Sequence, residues 1–134
     1  MPDLRLSGGA LDDLDLHYTI TGRGPATRLI HGLGGFAESW RHTIAALAPH
    51  GTVIAVDLPG FGQSAKPRCR YGITFFADAI HGLLRALDVE RVRPVGHSLG
   101  GVALACALAS PTQVERLALL APAVPGFPPP SCTG

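Results

Sequence analysis

The sequence predicts an α/β fold in which a mostly parallel sheet follows an N-terminal antiparallel hairpin. Residues 14–20 alternate apolar with polar side chains, which is typical of a half-exposed strand, and residues 4–6 pair antiparallel with them. Later, residues 29–30, 53–56 and 117–120 form short unbroken apolar runs, as in parallel strands covered on both faces. Helical patterns lie between these runs, and such alternation indicates crossover connections.

The spacing of apolar side chains predicts the helices. The first helix has apolar residues at i, i+4, i+7 and i+8, namely Trp40, Ile44, Leu47 and Ala48. Residues 76–87 repeat this spacing over a longer span, with Thr74 as the N-cap. A third helix begins near Ser98 and ends before Pro111. Because its apolar residues are not confined to one stripe, we expect it to be buried nearly all round.

Two positions fit their predicted strands poorly. Arg28 places a charge in the third strand, and Pro94 lies in the strand that leads to Gly96. Proline cannot donate to a ladder of hydrogen bonds and is normally confined to the edges of a sheet. Pro94 is therefore unexpected in an inner strand.

Composition narrows the class of protein. The 134 residues are 46% hydrophobic and 16% charged, which fits one domain with a real core. The net charge of +1, without a run of like charge, indicates neither a nucleic-acid partner nor a membrane surface. The N-terminus lacks the pattern of a signal peptide. Three scattered cysteines, Cys69, Cys106 and Cys132, fit neither a disulfide framework nor a zinc site, so we expect a cytoplasmic protein without a metal.

The strongest chemical motif is a G-x-S-x-G sequence, which here reads Gly96-His97-Ser98-Leu99-Gly100. It lies where a strand is predicted to lead into a helix. A sharp turn at this point raises the serine side chain above the sheet edge, and small flanking residues allow the close approach of backbone and helix. The backbone N–H of Leu99, at the helix N-terminus, then points at an oxyanion formed on Ser98.

A second motif, His31-Gly32-Leu33-Gly34-Gly35, directly follows an apolar strand. A glycine-rich turn can curl so that the backbone N–H of Leu33 faces the serine and becomes a second oxyanion donor. A third motif, Asp-Leu-Pro-Gly-Phe-Gly-Gln-Ser at residues 57–64, forms a loop that begins at a strand end.

Together, these three motifs resemble the α/β-hydrolase superfamily from about residue 14 to residue 122. The resemblance implies an acyl-transfer hydrolase of α/β-hydrolase fold, with Ser98 as nucleophile and the backbone N–H groups of Leu33 and Leu99 as oxyanion hole. It assigns six residues to the pocket and elbow, namely His31, Gly32, Gly34, Gly96, His97 and Gly100. It also implies a small ester or acyl substrate and no cofactor. An aspartate at the elbow would instead have suggested dehalogenase or epoxide-hydrolase chemistry.

The family places the acid and the histidine of the triad after the serine. Here the residues after Ser98 include one acid, Glu115, and no histidine. We therefore expect a fold that is incomplete at the C-terminus, with residues 1–122 as the N-terminal part of the domain and 123–134 as an unstructured tail. A missing C-terminal segment is the expected partner.

None of the histidines or acidic residues of the chain is a strong substitute for the missing acid and base of the triad. His97 is expected to shape the pocket wall, and His31 to make a structural hydrogen bond. Asp57 is expected to organise its loop, although it ends a strand on the catalytic side. Glu115 lies at the wrong end of the last strand.

Two alternatives remain open. Residues 32–37 also satisfy G-x-G-x-x-A, and Asp57 ends the next strand, as a ribose-binding acid does in a dinucleotide fold. The other alternative is a catalytically inactive fragment, or one half of a split enzyme, whose last strand is left as an unpaired, aggregation-prone edge.

Overall fold

A computed structural model of the chain describes residues 3–6, 14–31, 35, 37–68, 72–97 and 111–120. In this part, six strands form a sheet: β1 (Asp3–Leu6), β2 (Leu14–Thr21), β3 (Ala26–Ile30), β4 (Thr52–Val56), β5 (Val92–His97) and β6 (Ala118–Leu120). The helices are α1 (Arg41–Leu47) and α2 (Ile73–Ala86). Short 3₁₀ turns cover Ala37–Trp40, Ala48–His50 and Pro111–Gln113. The third predicted helix and the predicted tail at 123–134 lie outside the described residues.

The strand order is β1-β2-β4-β3-β5-β6. β1 pairs antiparallel with β2, and β2 pairs antiparallel with β4. The remaining pairs, β3 with β4, β3 with β5 and β5 with β6, are parallel. The predicted α/β class, with an N-terminal antiparallel hairpin before a mostly parallel sheet, is confirmed.

The unbroken apolar run of β4 is explained by a helix on each face of the sheet. Ile54 and Val56 belong to a cluster that α2 covers with Phe76, Ile80 and Leu83 among others. The alternate side chains, Val53 and Ala55, belong to a second cluster, against which the partly buried side chains of Trp40, Ile44 and Leu47 pack. Since side chains alternate between faces, a strand covered on both faces buries every side chain of this run.

Pro94 lies in an inner strand, contrary to the rule that confines proline to edges. β5 pairs with β3 on one side, where Pro94 is opposite Arg28, and with β6 on the other. The carbonyl of Val92 accepts a hydrogen bond from Glu115, so Val92 and, two residues on, Pro94 direct their backbone groups toward β6. The β5–β6 ladder begins only at Val95. The missing N–H of Pro94 therefore falls in a gap before that ladder, where no bond is lost.

Two further expectations are corrected. Thr74 does not cap α2, because the helix begins at Ile73 and its N-cap is the extended residue Gly72, without a side-chain cap bond. β2 is not half-exposed by simple alternation: His17 is buried, whereas Ile20 is 48% exposed. At His17, β1 pairs on one side, where Asp3 is opposite, and on the other side the N–H of Asp57 donates to the carbonyl of His17.

Candidate active site

The carboxyl ends of β4, β3 and β5 lie side by side and point in the same direction. Asp57 directly follows β4, His31 directly follows β3, and His97 ends β5. In the ladder, Ile30 is opposite Gly96, so the residue after each lies at the same edge of the sheet. Ligand sites of open α/β sheets form at the carboxyl ends of their strands. The two glycine-rich motifs therefore start from adjacent positions at one edge.

Three of the sequence-predicted site residues lie within the described part of the chain. His31 is buried, Gly96 is buried between its partners Ile30 and Leu119, and His97 is exposed opposite Leu120. The others lie outside it, namely Gly32, Leu33, Gly34, Ser98, Leu99 and Gly100. The positions of the predicted nucleophile and of both predicted oxyanion donors thus stay predictions.

His31 makes a structural hydrogen bond, as expected. The backbone N–H of Leu58 donates to His31 Nε2 at 2.9 Å. The ring is 1% exposed and meets the ring of Phe61 edge-on at a centroid distance of 5.3 Å. Since a backbone N–H only donates, Nε2 carries no proton in this arrangement. Nε2 is therefore already engaged as an acceptor.

Asp57 organises its surroundings with both carboxylate oxygens. The N–H of Ala37 donates to Oδ1 at 2.5 Å, and the N–H of Gln63 donates to Oδ2 at 2.9 Å. The residue is 2% exposed. Hydrogen bonds to a buried carboxylate are charge-assisted and strong. This arrangement supports the loop-organising role and leaves little of the carboxylate to bind a ribose, which the dinucleotide alternative requires.

Residues 57–65, named the 57–65 loop from here on, dock on β2. Ser64 Oγ accepts the N–H of His17 at 2.9 Å and donates to the carbonyl of Asp57 at 2.5 Å. The N–H of Ala65 donates to the carbonyl of Asp15 at 2.8 Å. The loop thus continues the contact of β4 with β2 and then folds back.

Glycines make this fold-back possible. Gly60 and Gly62 have φ values of 90° and 53°, in the left-handed region that favours glycine. A Cβ at Gly62 would overlap the carboxylate of Asp57. The position therefore needs glycine twice, for its backbone angle and for the space that the carboxylate occupies.

Glu115 lies at the opposite end of β5. Its N–H donates to the carbonyl of Val92 at 3.0 Å, and its carboxylate pairs with Arg93 Nε at 3.4 Å. Val92 and Arg93 begin β5, whereas His97 ends it. Glu115 is therefore far along the strand from the edge where the serine motif begins, which agrees with the expectation that it is not the acid of a triad.

The other histidines are dispersed. His17 is buried in β2. His42 and His50 are exposed in and after α1, and His81 is half-buried on α2. Burial, followed by the positive charge of Arg28, lowers the pKa of His81 below its ordinary 6.5. Asp78 opposes this shift, and Arg85 adds to it.

Within the described ranges, no three side chains of His, Cys, Asp or Glu come close enough together to hold a metal ion. No helix in those ranges is long and apolar enough to cross a membrane.

Sequence reasoning missed the partners of the third motif. It identified residues 57–64 as a loop but not the bond from Ala37 to Asp57 or the bridge from Ser64 to His17. One indication was available in the sequence, because Asp57 ends a strand and is followed by two glycines and Ser64. Aspartate and serine side chains commonly accept hydrogen bonds from backbone N–H groups in tight loops.

Comparison with known proteins agrees with the geometry. A family model described as the α/β hydrolase fold matches residues 29–133. An uncharacterized protein of Mycobacterium tuberculosis strain H37Rv is 49% identical over 104 residues, which cover 77% of this chain and 30% of that protein. The 2-hydroxy-6-oxo-2,4-heptadienoate hydrolase of Pseudomonas putida is 37% identical over 120 residues, 86% of this chain and 42% of that enzyme.

Among solved structures, a meta-cleavage product hydrolase from Pseudomonas fluorescens matches with a TM-score of 0.78 and 32% identity. The match covers 87% of this chain and 43% of that one. The chain thus spans less than half the length of each of these three proteins.

Proposed function

Because this chain belongs to the α/β-hydrolase family, we propose that it carries the nucleophile and oxyanion hole of a serine hydrolase that cleaves an ester-like acyl bond of a small molecule. The observation that carries the proposal is the register of β3 with β5, in which Ile30 is opposite Gly96. This register starts the glycine-rich segment after His31 and the serine motif after Gly96 from neighbouring strands at one sheet edge. Two segments that must cooperate on one carbonyl therefore begin side by side.

In the proposed reaction, the hydroxyl of Ser98 attacks the acyl carbon of the substrate. The tetrahedral intermediate places a negative charge on the former carbonyl oxygen. The backbone N–H groups of Leu33 and Leu99 stabilise that charge as it develops. The leaving alcohol departs, and water then hydrolyses the acyl-serine.

A serine hydroxyl needs a base to remove its proton, and a carboxylate to orient that base. His31 Nε2 already accepts the N–H of Leu58, and both oxygens of Asp57 accept backbone N–H groups. We propose that the base and acid come from a segment outside these 134 residues, and that the chain alone has low activity. In that case the chain acts as one half of a split enzyme.

Ester hydrolysis tests the proposal. The rate of p-nitrophenyl acetate hydrolysis is measured for the parent chain, for Ser98→Ala and for Ser39→Ala, in which an exposed serine controls for loss of any hydroxyl. We expect a slow rate that Ser98→Ala abolishes and Ser39→Ala leaves unchanged. Equal rates for the parent and Ser98→Ala contradict the proposal. A parent rate no faster than buffer supports the inactive fragment instead.

A second substrate class is favoured by two of the relatives. The Pseudomonas putida enzyme is a hydrolase of 2-hydroxy-6-oxo-2,4-heptadienoate, and the solved structure is of a meta-cleavage product hydrolase. The same serine site would then cleave a carbon–carbon bond beside a ketone. The test is the hydrolysis of a 2-hydroxy-6-oxo-dienoate, measured as the loss of its absorbance. A rate above that of p-nitrophenyl acetate hydrolysis favours this class.

A further inference from the structure

Two buried polar atoms lie on the face of the sheet that α1 covers. They are the hydroxyl oxygen Oγ1 of Thr19 and the indole nitrogen Nε1 of Trp40, and neither makes a hydrogen bond in the part of the chain that the structure describes. The two side chains are partly buried, and these two atoms are shielded from solvent. Because a buried polar group without a hydrogen bond is costly, each of the two atoms needs a partner.

Thr19 lies in β2 and faces α1. Its neighbour Tyr18 belongs to the cluster that α2 covers, and successive side chains of a strand point to opposite faces of the sheet. In the ladder, Thr19 is opposite Ala55 of β4. Since the Cβ atoms of directly opposite residues are about 4.5–5.5 Å apart, the hydroxyl of Thr19 lies beside the methyl group of Ala55.

Trp40 lies over the same part of the sheet. Its side chain packs against the cluster formed by Leu29, Ala37, Val53 and Ala55. Ala55 therefore belongs to the surroundings of both Thr19 and Trp40. Its single methyl group places no polar atom near either of them and adds little bulk between the hydroxyl and the indole.

The covered part of this face ends just beyond Thr19. His17, two residues earlier on the same face of β2, is buried, whereas Thr21, two residues later, is exposed. The hydroxyl of Thr19 thus lies at the inner margin of the covered region, where an occupant is separated from bulk solvent.

The chemistry of the two groups limits what can satisfy them. An indole N–H only donates a hydrogen bond, whereas a threonine hydroxyl both donates and accepts. Trp40 Nε1 and Thr19 Oγ1 do not bond to each other. An occupant must therefore accept the N–H of Trp40 and make a further hydrogen bond to the hydroxyl of Thr19. Water is the smallest molecule that does both.

We propose that Thr19 and Trp40 hold one internal water molecule, which joins β2 to the residue directly before α1. Trp40 Nε1 donates to the water oxygen, and the water bonds to Thr19 Oγ1. Buried waters typically make about three hydrogen bonds to polar groups that are otherwise unsatisfied, and they are costly to remove. This inference is independent of the proposed function, because neither residue belongs to the proposed catalytic site.

The chain offers a clean probe of this water, because Trp40 is its only tryptophan. In an NMR spectrum of the protein with isotope-labelled tryptophan, the indole proton gives a single signal. We expect a nuclear Overhauser effect (NOE) between this proton and water, with the sign that a water molecule bound to the protein gives.

Variants of β2 test whether Thr19 holds the water. Thr19→Val replaces the hydroxyl by a methyl group of similar size, and we expect the NOE to be lost. Thr19→Ser keeps the hydroxyl and is expected to keep the NOE. Thr21→Val is the matched control, because it removes an exposed hydroxyl from the same face of the same strand, and it is expected to resemble the parent.

A second measurement is the relaxation dispersion of the water oxygen nucleus, which reports long-lived bound waters and does not respond to exchanging protein protons. We expect the parent to hold one more long-lived water than Thr19→Val. Trp40→Phe removes the donor and is expected to lose the same water, which keeps the test decisive if Thr19→Val does not fold. A parent without the NOE from Trp40 to water overturns the proposal. Equal oxygen dispersion in the parent and in the folded Thr19→Val or Trp40→Phe variant overturns it as well.

Discussion

The centre of the sheet and its β5–β6 margin are held in different ways. At the centre, β2, β4 and β3 are joined by ladders, covered by α1 and α2, and tied to the 57–65 loop through buried side chains. At the margin, β6 has three residues, two of which are exposed, and Leu120 is 48% exposed. The ion pair between Arg93 and Glu115 at this margin is partly exposed as well.

This difference separates the two halves of the proposed site. The segment after β3, which contains Leu33, starts from a strand that is buried in the centre of the described sheet. The serine motif starts from β5, whose outer neighbour is the short strand β6. The strand that leads to Leu33 is therefore flanked by well-buried strands. The strand that leads to the serine motif has the short, mostly exposed strand β6 as its outer neighbour. The predictions below test this contrast, from the largest expected effect to the smallest.

The largest contrast is expected from apolar truncation. Ile80→Ala removes a side chain that is fully buried between α2 and the sheet, and we expect a loss of about 2–5 kcal/mol in the free energy of unfolding. Leu120→Ala, at the exposed margin, is expected to change it by less than about 0.5 kcal/mol. Urea denaturation of both variants measures the difference. Similar losses at the two positions would show that the margin is as well packed as the centre.

The next contrast concerns two acidic residues. Asp57→Asn leaves a buried backbone N–H without an acceptor, so we expect a loss of about 1–3 kcal/mol in the free energy of unfolding. Glu115→Gln breaks a partly exposed ion pair with Arg93, whose expected contribution is below about 1 kcal/mol. Denaturation at low and at high salt checks both. Only the Glu115 effect should shrink at high salt; equal effects would contradict the contrast.

A smaller contrast is expected from two glycines. Gly62→Ala forces an ordinary side chain into the left-handed region, at a cost of about 1–2 kcal/mol from the backbone alone, and places a methyl group against Asp57. Gly72→Ala adds a methyl group where nothing lies within 4 Å. Thermal unfolding of the two variants is the measurement. A melting temperature lowered equally by both would refute the described conformation of the loop.

The smallest effect is expected from His81, and it depends on pH. Because burial and Arg28 lower the pKa of His81 in the folded chain, the unfolded chain binds more protons as the pH falls below 6.5. Stability is therefore expected to decrease between neutral pH and pH values below the folded pKa. The decrease should be shallower in His81→Gln, and the same substitution at exposed His50 is the control. Equal pH profiles for the parent and His81→Gln would contradict this assignment.

Much of the fold could be predicted because the relevant patterns are local. The unbroken run of β4 and the spacing of α2 each report burial within a few neighbouring residues, and both elements appear where the sequence indicates them. The glycine-rich motifs are also local, and they identify the family that the comparisons show.

The errors and omissions concern contacts between distant residues. Pro94 is tolerated because of where β6 begins, more than twenty residues later. His17 is bonded to Asp57 and Ser64, which contact β2 from a distant part of the sequence. The partner of the Ala37 N–H lies twenty residues further along the chain, so no pattern around Ala37 announces it. Such bonds depend on tertiary structure. The sequence shows the type of residue that can make the bond, but it does not show the partner.

The most direct test of the central claim is the site of a covalent adduct. The parent chain is incubated with a fluorophosphonate, digested, and its modified peptides are identified by mass spectrometry, with Ser98→Ala treated in parallel. We predict one adduct, on the peptide that contains Ser98, and none on the peptide that contains the buried Ser64. An adduct that persists in Ser98→Ala, or an adduct of the parent chain on a peptide without Ser98, would contradict the assignment of Ser98 as the nucleophile.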